Sequence, residues 1–405
     1  MMGTGGRAGT GGAASTGGAP GTGGVAGAGG ATANCVKALF GRYLVRTDGA
    51  VLYEGAPPNS SDQTPVLDDS TGLPLLGVTE VHDGSFYGCA VQESSGSAWC
   101  WRTEANGNQY GQLGNGTIDR LATAWRATRV LIAAGQPLTN VVSISNGETP
   151  NPEDSAACAV TGDGKVYCWG SVAYLVSGGS PITLTSPFAV PITTDGVTPL
   201  GGVLQVAVSA YQSSRGNACA VVRGASSREL WCWGSNGRSS LGLGDLGIRR
   251  YPTKVSGVDN PIKVLTHDYY GGTTCVLDGS NVRCWGYTYM GETGTGIAQP
   301  DDVTRPALVI SMADMTPFGD VVDLHGGDNV TATFCALTAS KTVFCWGRGY
   351  KAYPTDLGVT DVVLLGGTGL HVRYLSGDGM YHFVQEGAFV GSIGSLRAPN
   401  CGPFP

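Results

Sequence analysis

Residues 158–170 read Cys158-Ala159-Val160-Thr161-Gly162-Asp163-Gly164-Lys165-Val166-Tyr167-Cys168-Trp169-Gly170. If the two cysteines stand opposite each other on neighbouring strands, three residues, Gly162-Asp163-Gly164, remain to turn the chain. That is a common β-hairpin loop, and Gly164 can supply the positive φ it needs. Along Val166-Tyr167-Cys168-Trp169, Tyr and Trp point one way while Val and Cys point the other. Both faces are apolar, so the hairpin is covered on both sides, whereas a sandwich sheet leaves one face wet.

The same pattern recurs at four other places: CAVQESSGSAWCW from Cys89, CAVVRGASSRELWCWG from Cys219, CVLDGSNVRCWG from Cys275 and CALTASKTVFCWG from Cys335. Opposing the cysteines leaves a two-residue loop, Gly279-Ser280, in one copy and longer loops in others. Loop length varies while the opposition can hold. Two further copies have lost both cysteines and place Tyr43 and Tyr53, or Arg373 and Phe383, at those positions. Seven doubly covered hairpins, 38 to 69 residues apart with irregular chain between them, predict sheets stacked around an axis. The expected fold class is all-β: a seven-bladed β-propeller over residues 34–405, preceded by a Gly-rich low-complexity segment, residues 1–33.

Ten of the twelve cysteines lie in the five hairpins; the others are Cys35 and Cys401. Directly opposed strand positions come within disulfide range. Six disulfides are therefore expected: Cys89–Cys100, Cys158–Cys168, Cys219–Cys232, Cys275–Cys284, Cys335–Cys345, and Cys35–Cys401 locking the two ends of the ring. They imply an oxidising compartment, hence an extracellular or cell-surface location. Buried reduced cysteines are the competing reading, because Cys packs well as a small apolar residue. Zinc would call for tighter Cys or Cys/His clusters than these.

Residues 3–32 fall into five hexads, GTGGRA, GTGGAA, STGGAP, GTGGVA and GAGGAT, with Gly at every third position except Ser15. Such chain buries too little surface to offset its ordering entropy and reads as a tether spanning roughly 30 Å. A period of three also matches the turn of a polyproline-II-type helix, so the Gly face could serve self-assembly. Pro20 is the only proline there, too few for collagen.

Of 405 residues, 66 are Gly; 31 acidic residues outnumber 24 basic ones, for a formal net charge of −7. A nucleic-acid binder needs a basic surface, and none is expected here. No apolar run reaches transmembrane length. The opening Met-Met-Gly-Thr-Gly-Gly lacks the apolar core of a secretion signal, so an exported protein would carry its signal outside this sequence.

Three further elements follow the hairpins. Gly111-Gln112-Leu113-Gly114-Asn115-Gly116 is clean, with degraded versions at Leu241-Gly242-Leu243-Gly244 and Gly291-Glu292-Thr293-Gly294. Pro252-Thr253-Lys254-Val255 and Pro306-Ala307-Leu308-Val309 come after two of them. With the Tyr-x-Trp-Gly hairpins, this order over residues 35–401 resembles the repeat of the regulator of chromosome condensation family, in its bacterial secreted, disulfide-bearing form. The resemblance implies a seven-bladed propeller. The family's nucleotide exchange on a nuclear GTPase fits an acidic, cysteine-paired chain poorly; its extracellular members that bind proteins through loops at one end fit better.

Three of the five histidines precede hairpins by similar distances: His82-Asp83, His267-Asp268 and His325. A repeated position on a propeller forms a ring, so these five residues are a candidate polar cluster at a channel mouth. The resemblance implies a structural, hydrogen-bonding role for such a His. No hydrolase, phosphate-loop, zinc-protease or calcium motif occurs, and no catalytic residue, cofactor or metal is expected. The Asp-Gly pairs at hairpin tips are turn chemistry. Asn59, Asn115 and Asn329 stand in glycosylation sequons.

The expected function is non-enzymatic: an extracellular or surface propeller that recognises an unknown protein or surface polymer through variable segments 102–125, 171–200 and 287–306. The alternatives are a structural subunit of a fibre assembled through residues 3–32, and a propeller lyase or hydrolase using His82, His267 and His325.

Overall fold

The computed structural model describes residues 36–54, 63–84, 86–103, 108–119, 124–147, 155–172, 175, 185–209, 216–267, 272–296, 302–326, 332–368, 371–378, 381–385 and 388–392. These residues form strands and turns and no helix. Cys35, Cys401 and the whole of residues 1–33 lie outside them, as do Asp268, Asn59 and Asn329.

Each hairpin is the middle of an antiparallel meander. Ala156–Thr161 and Val166–Ser171, for example, are flanked by an inner strand, Val141–Asn146, and an outer one, Thr185–Pro191. The inner strands are Val36–Phe40, Val78–Asp83, Val141–Asn146, Val203–Ser209, Pro261–His267, Val321–Gly326 and Val362–Thr368. Each packs on the next in sequence order, and the last packs on the first, so the sheets close a ring around an axis. The fold is an all-β propeller.

The expectation of seven blades needs correction: six sheets are regular four-stranded blades. The sheet around Cys89 and Cys100 instead has five strands, because Leu67–Asp68 pairs in parallel with Arg126–Arg129 on its outer edge. The chain leaving the first sheet runs along that edge before it turns inward, and the free edge accepts it.

Hairpin registers follow the period-two reading. Cys89 opposes Cys100, Cys158 opposes Cys168, Cys219 opposes Cys232, Cys275 opposes Cys284 and Cys335 opposes Cys345. All five pairs are disulfides. In the copies without cysteines, Tyr43 opposes Tyr53 and Arg373 opposes Phe383. Gly164 turns with φ 79°, and Asp278 pairs with Asn281 around Gly279-Ser280.

Neighbouring sheets are stapled along both edges of their contact. On one edge, the Trp after the second Cys reaches back to the preceding sheet. Trp169 donates its indole N–H to the Gln112 carbonyl (3.0 Å), Trp233 to Leu175 (3.0 Å), Trp285 to Ser240 (2.9 Å) and Trp346 to Glu292 (3.1 Å). Gly114, Gly242 and Gly294 of the clean and degraded elements are therefore cradles for the next sheet's indole. A Cβ on Gly242 (φ 69°) would sit 2.7 Å from Trp285 Nε1. On the other edge, the first N–H of an inner strand bonds the hairpin turn of the preceding sheet. Val78 donates to the Gly49 carbonyl (3.1 Å), Val141 to Gly96 (2.7 Å), Val203 to Gly164 (3.0 Å), Val321 to Ser280 (3.0 Å) and Val362 to Lys341 (3.1 Å). At the seam, Arg373 donates to the Gly41 carbonyl at 3.2 Å.

Because strand direction alternates, links from first to second and from third to fourth strand leave on one face of the ring. Hairpin turns and links to the next sheet leave on the other. Of the segments expected to form one variable surface, 102–125 and 287–306 belong to the first face. Segment 171–200 does not stay there: Thr185–Pro191 is an outer strand, and Thr193 bridges Pro199 in a ribbon on the hairpin face.

The indole cradle predicts unequal costs for two similar substitutions. Gly242 and Gly257 both have positive φ, but Gly257 has open space around it. Gly257→Ala should cost about 1 kcal/mol from backbone strain alone. Gly242→Ala should cost about 1–3 kcal/mol beyond that through overpacking of Trp285. Urea unfolding under non-reducing conditions checks this, and equal costs would refute the cradle.

Candidate functional site

The inner strands wall an axial cavity of about 600 Å³, lined by residues of six of them. Every inner strand slips register after its first residue, as between Val78 and Glu80 or between Val321 and Asp323. This repeated bulge sets which residues share a level around the axis. The third residues are Ala38, Glu80, Ser143, Gln205, Lys263, Asp323 and Leu364; the fifth are Phe40, His82, Ser145, Ala207, Leu265, His325 and Gly366.

The three histidines do not occupy one level. His82 pairs with Cys89 and His325 with Cys335, whereas His267 pairs with Thr273, two residues before its cysteine. Spacing measured to the hairpin misled because the intervening link differs in length. His82 Nδ1 accepts the Asn146 N–H (3.2 Å), and Asn146 Nδ2 donates to the His82 carbonyl (3.0 Å), tying two sheets together. The proton of the neutral ring then sits on Nε2. Burial, aided by Lys263 against the opposing pull of Asp83, pushes His82 down to about 4. His267 is buried with its ring edge against Phe334.

Asp83 belongs to a structural ion pair. Its Oδ2 takes the Arg42 Nε–H (2.9 Å) and the Arg42 backbone N–H (2.9 Å), and its Oδ1 takes a second guanidinium N–H (2.9 Å). The pair joins the first two sheets. Asn115 lies in the 108–119 loop, where its Oδ1 accepts from Thr117 N (3.1 Å) and Oγ1 (2.8 Å).

Third-level residues bridge neighbouring sheets, and the spacing argument missed them. Gln205 embraces Val264, accepting its N–H (2.8 Å) and donating to its carbonyl (2.9 Å). Glu80 accepts from Ile144 N (3.2 Å) and Ser143 Oγ (3.2 Å). Lys263 Nζ meets Asp323 Oδ1 at 2.7 Å, and Asp323 Oδ2 meets His325 Nε2 at 2.7 Å. Burial would raise Asp323, but His325 and Lys263 beside it hold it well below the usual carboxylate range. Burial and Lys263 together lower His325, against Asp323. Among the described residues no three His, Cys, Asp or Glu side chains converge as metal ligands. The arrangement can offer hydrogen bonds and one paired ammonium to a polar group entering the channel.

Two buried carboxyls stand where other repeats have Gln. Glu80 corresponds to Gln205 and Glu292 to Gln112 of the Gly-Gln-Leu-Gly element. Gln112 and Glu292 each accept the N–H two residues back, from Tyr110 (2.9 Å) and Met290 (2.8 Å). Glu292 is fully buried, and its Oε1 has no partner among the described residues. Burial pushes both carboxyls up to about 7, against hydrogen bonds and the more distant charges of Lys263 and Arg348. A carboxyl raised in the folded state binds its proton more tightly there. Its contribution is complete below about pH 4.5 and is lost as pH rises through 7. Glu292→Gln, and separately Glu80→Gln, should match wild type at pH 5. At pH 8 each should exceed it by about 1–3 kcal/mol in urea unfolding; a pH-independent difference would overturn the assignment.

No protein-family model matches the chain. Among curated proteins it is similar to the RCC1-like G exchanging factor-like protein of Mus musculus, 27% identical over 201 residues. That match covers 48% of this chain and only 38% of the mouse protein. Among solved structures, human WBSCR16 superposes with a TM-score of 0.57 at 19% identity, covering 81% of each chain. Prp20p of Saccharomyces cerevisiae gives 0.53 at 15% identity, covering 78% of this chain and 76% of that one. Yeast RCC1 (Prp20) bound to Kap60 also gives 0.53. The fold is that of the regulator of chromosome condensation (RCC1) repeat propellers.

Proposed function

We propose that the chain is a non-enzymatic recognition propeller that works in an oxidising, extracellular or surface setting. The observation that carries this is the set of five disulfides at one register position in successive hairpins. Disulfides persist where thiols are not kept reduced. They make the ring a stiff frame, and a stiff frame is what loops of unequal length need in order to present a fixed surface. The links between third and fourth strands are unequal, residues 103–125 in one sheet against 348–354 in another. The similar proteins are named for an exchange factor and for binding to Gsp1p and histones, and so for contact with other proteins. We count the five-stranded sheet as the seventh blade and take residues 34–405 as the propeller, with 1–33 as a separate segment. No helix of the described residues is long and apolar enough to cross a membrane.

The glycine period of residues 3–32 favours one second reading, a fibre subunit assembled through that segment. Negative-stain electron microscopy of the non-reduced protein separates the two. Single rings are expected, unchanged when residues 1–33 are deleted. Filaments that vanish with the deletion would replace recognition by assembly as the primary role.

A further inference from the structure

Four links between sheets are built to one plan on the hairpin face. Residues 66–75, 130–138, 192–200 and 309–318 each begin at a buried Val or Ile and end at a buried Leu or Phe that follows a proline: Pro74-Leu75, Pro137-Leu138, Pro199-Leu200 and Pro317-Phe318. In each, the last N–H returns to the first carbonyl: Leu75 to Val66 (2.9 Å), Leu138 to Val130 (2.8 Å), Leu200 to Ile192 (2.9 Å) and Phe318 to Val309 (2.9 Å). A bridge just inside each closure, as between Leu67 and Pro74 or Ile310 and Pro317, makes them ribbons rather than slack loops.

Their tips are apolar and exposed. Leu73 is 65% exposed, Val197 84% and Met315 64%, with Ile132 and Met312 also exposed. Met315 has φ 57°, where the first two ribbons have Gly72 (φ 70°) and Gly135 (φ 72°) two residues before their prolines. An apolar side chain is thus held outward in a conformation that glycine adopts more cheaply, the kind of local strain that accumulates at functional positions. Nearer the axis, Val142, Ile262 and Val322, the bulged second residues of their inner strands, are exposed on the same face. Of thirteen large apolar side chains exposed among the described residues, nine lie on this face.

Three of the four ribbons are acidic, carrying Asp68 and Asp69, Asp195, and Asp314; residues 130–138 carry no charge, and none of the four contains Lys or Arg. Three of these carboxylates brace their own tips, accepting from Ser70 N (2.8 Å), Thr198 N (2.6 Å) and Thr316 N (3.2 Å). The tips are pre-organised, which lowers the ordering cost of binding. Apolar anchors beside fixed negative charge match a surface of opposite sign.

We infer that the hairpin face, through the apolar tips of these ribbons, docks a protein whose surface sets apolar side chains among Lys and Arg. This rests on the recognition reading and relocates its surface: the long third-to-fourth-strand links stand on the opposite face. Anionic lipid is the less favoured occupant, because it would meet like charge at every charged tip.

The test selects a random phage-displayed peptide library on immobilised, oxidised full chain and measures affinities of the enriched peptides. Peptides with Leu, Met, Phe or Trp flanked by Lys or Arg are expected. Their affinity should fall at least tenfold on Leu73→Asp/Val197→Asp/Met315→Asp and be unchanged on Ile118→Asp/Leu246→Asp/Tyr289→Asp of the other face. All six positions are exposed, and intact disulfides with unchanged thermal unfolding confirm the fold of each variant. Selective binding lost only in the second variant would overturn the placement and leave recognition standing. The absence of selective binding to either face would overturn both. Binding to phosphatidylcholine–phosphatidylglycerol vesicles that the first variant abolishes would overturn the protein partner.

Discussion

Each indole N–H donated to a carbonyl of the preceding sheet is the contact on which the ring depends. Every described sheet strand pairs within a contiguous stretch of chain apart from the short Leu67–Asp68 addition, so among the described residues no strand exchanged between chain ends welds the propeller shut. Sheets must hold one another through side chains. A buried Trp supplies a large apolar surface and a single donor, and that donor has to find an acceptor once it leaves water. The turn provides a bare carbonyl, and at three of the four contacts Gly114, Gly242 or Gly294 is small enough to let the ring approach. Packing and polar satisfaction are met by one residue, and the opposite edge repeats the solution with backbone alone.

The hairpins were legible because every constraint on them is local. Strand alternation, loop length and cysteine opposition all fall within residues such as 158–170, where the period of two leaves one register. The axial level of a histidine was not legible in the same way. His267 sits two residues beyond the level of His82 and His325 because the link before the hairpin changes length, and a distance counted from the hairpin cannot register the bulge at the strand's other end. Strand alternation puts the Trp after the second Cys on a covered apolar face, which is half its role; the cradle across the interface is non-local. The Pro-Leu and Pro-Phe dipeptides at 74–75, 137–138, 199–200 and 317–318 were a readable signal, since a proline before an apolar residue recurs ahead of successive inner strands.

The repeat also furnishes its own comparisons. Gln205 and Glu80 sit at one level of different sheets, as Gln112 and Glu292 do, so backbone and neighbours are held nearly constant while one amide becomes a carboxyl. Differences between such pairs isolate side-chain chemistry as a mutant series would. Burial raises the proton affinity of Glu80 and Glu292, whereas Asp323, on the level of Glu80, is held low by His325 and Lys263.

All five described disulfides span only 9 to 13 residues, and none crosses from one sheet to another. Each can therefore oxidise as soon as its own hairpin meets an oxidising environment, with its correct partner far closer than any other thiol. The covalent lock also travels with the segment that needs it. Duplication or loss of one repeat adds or removes a whole cysteine pair and strands no thiol, and the two cysteine-free copies at the seam keep the same hairpin register without one.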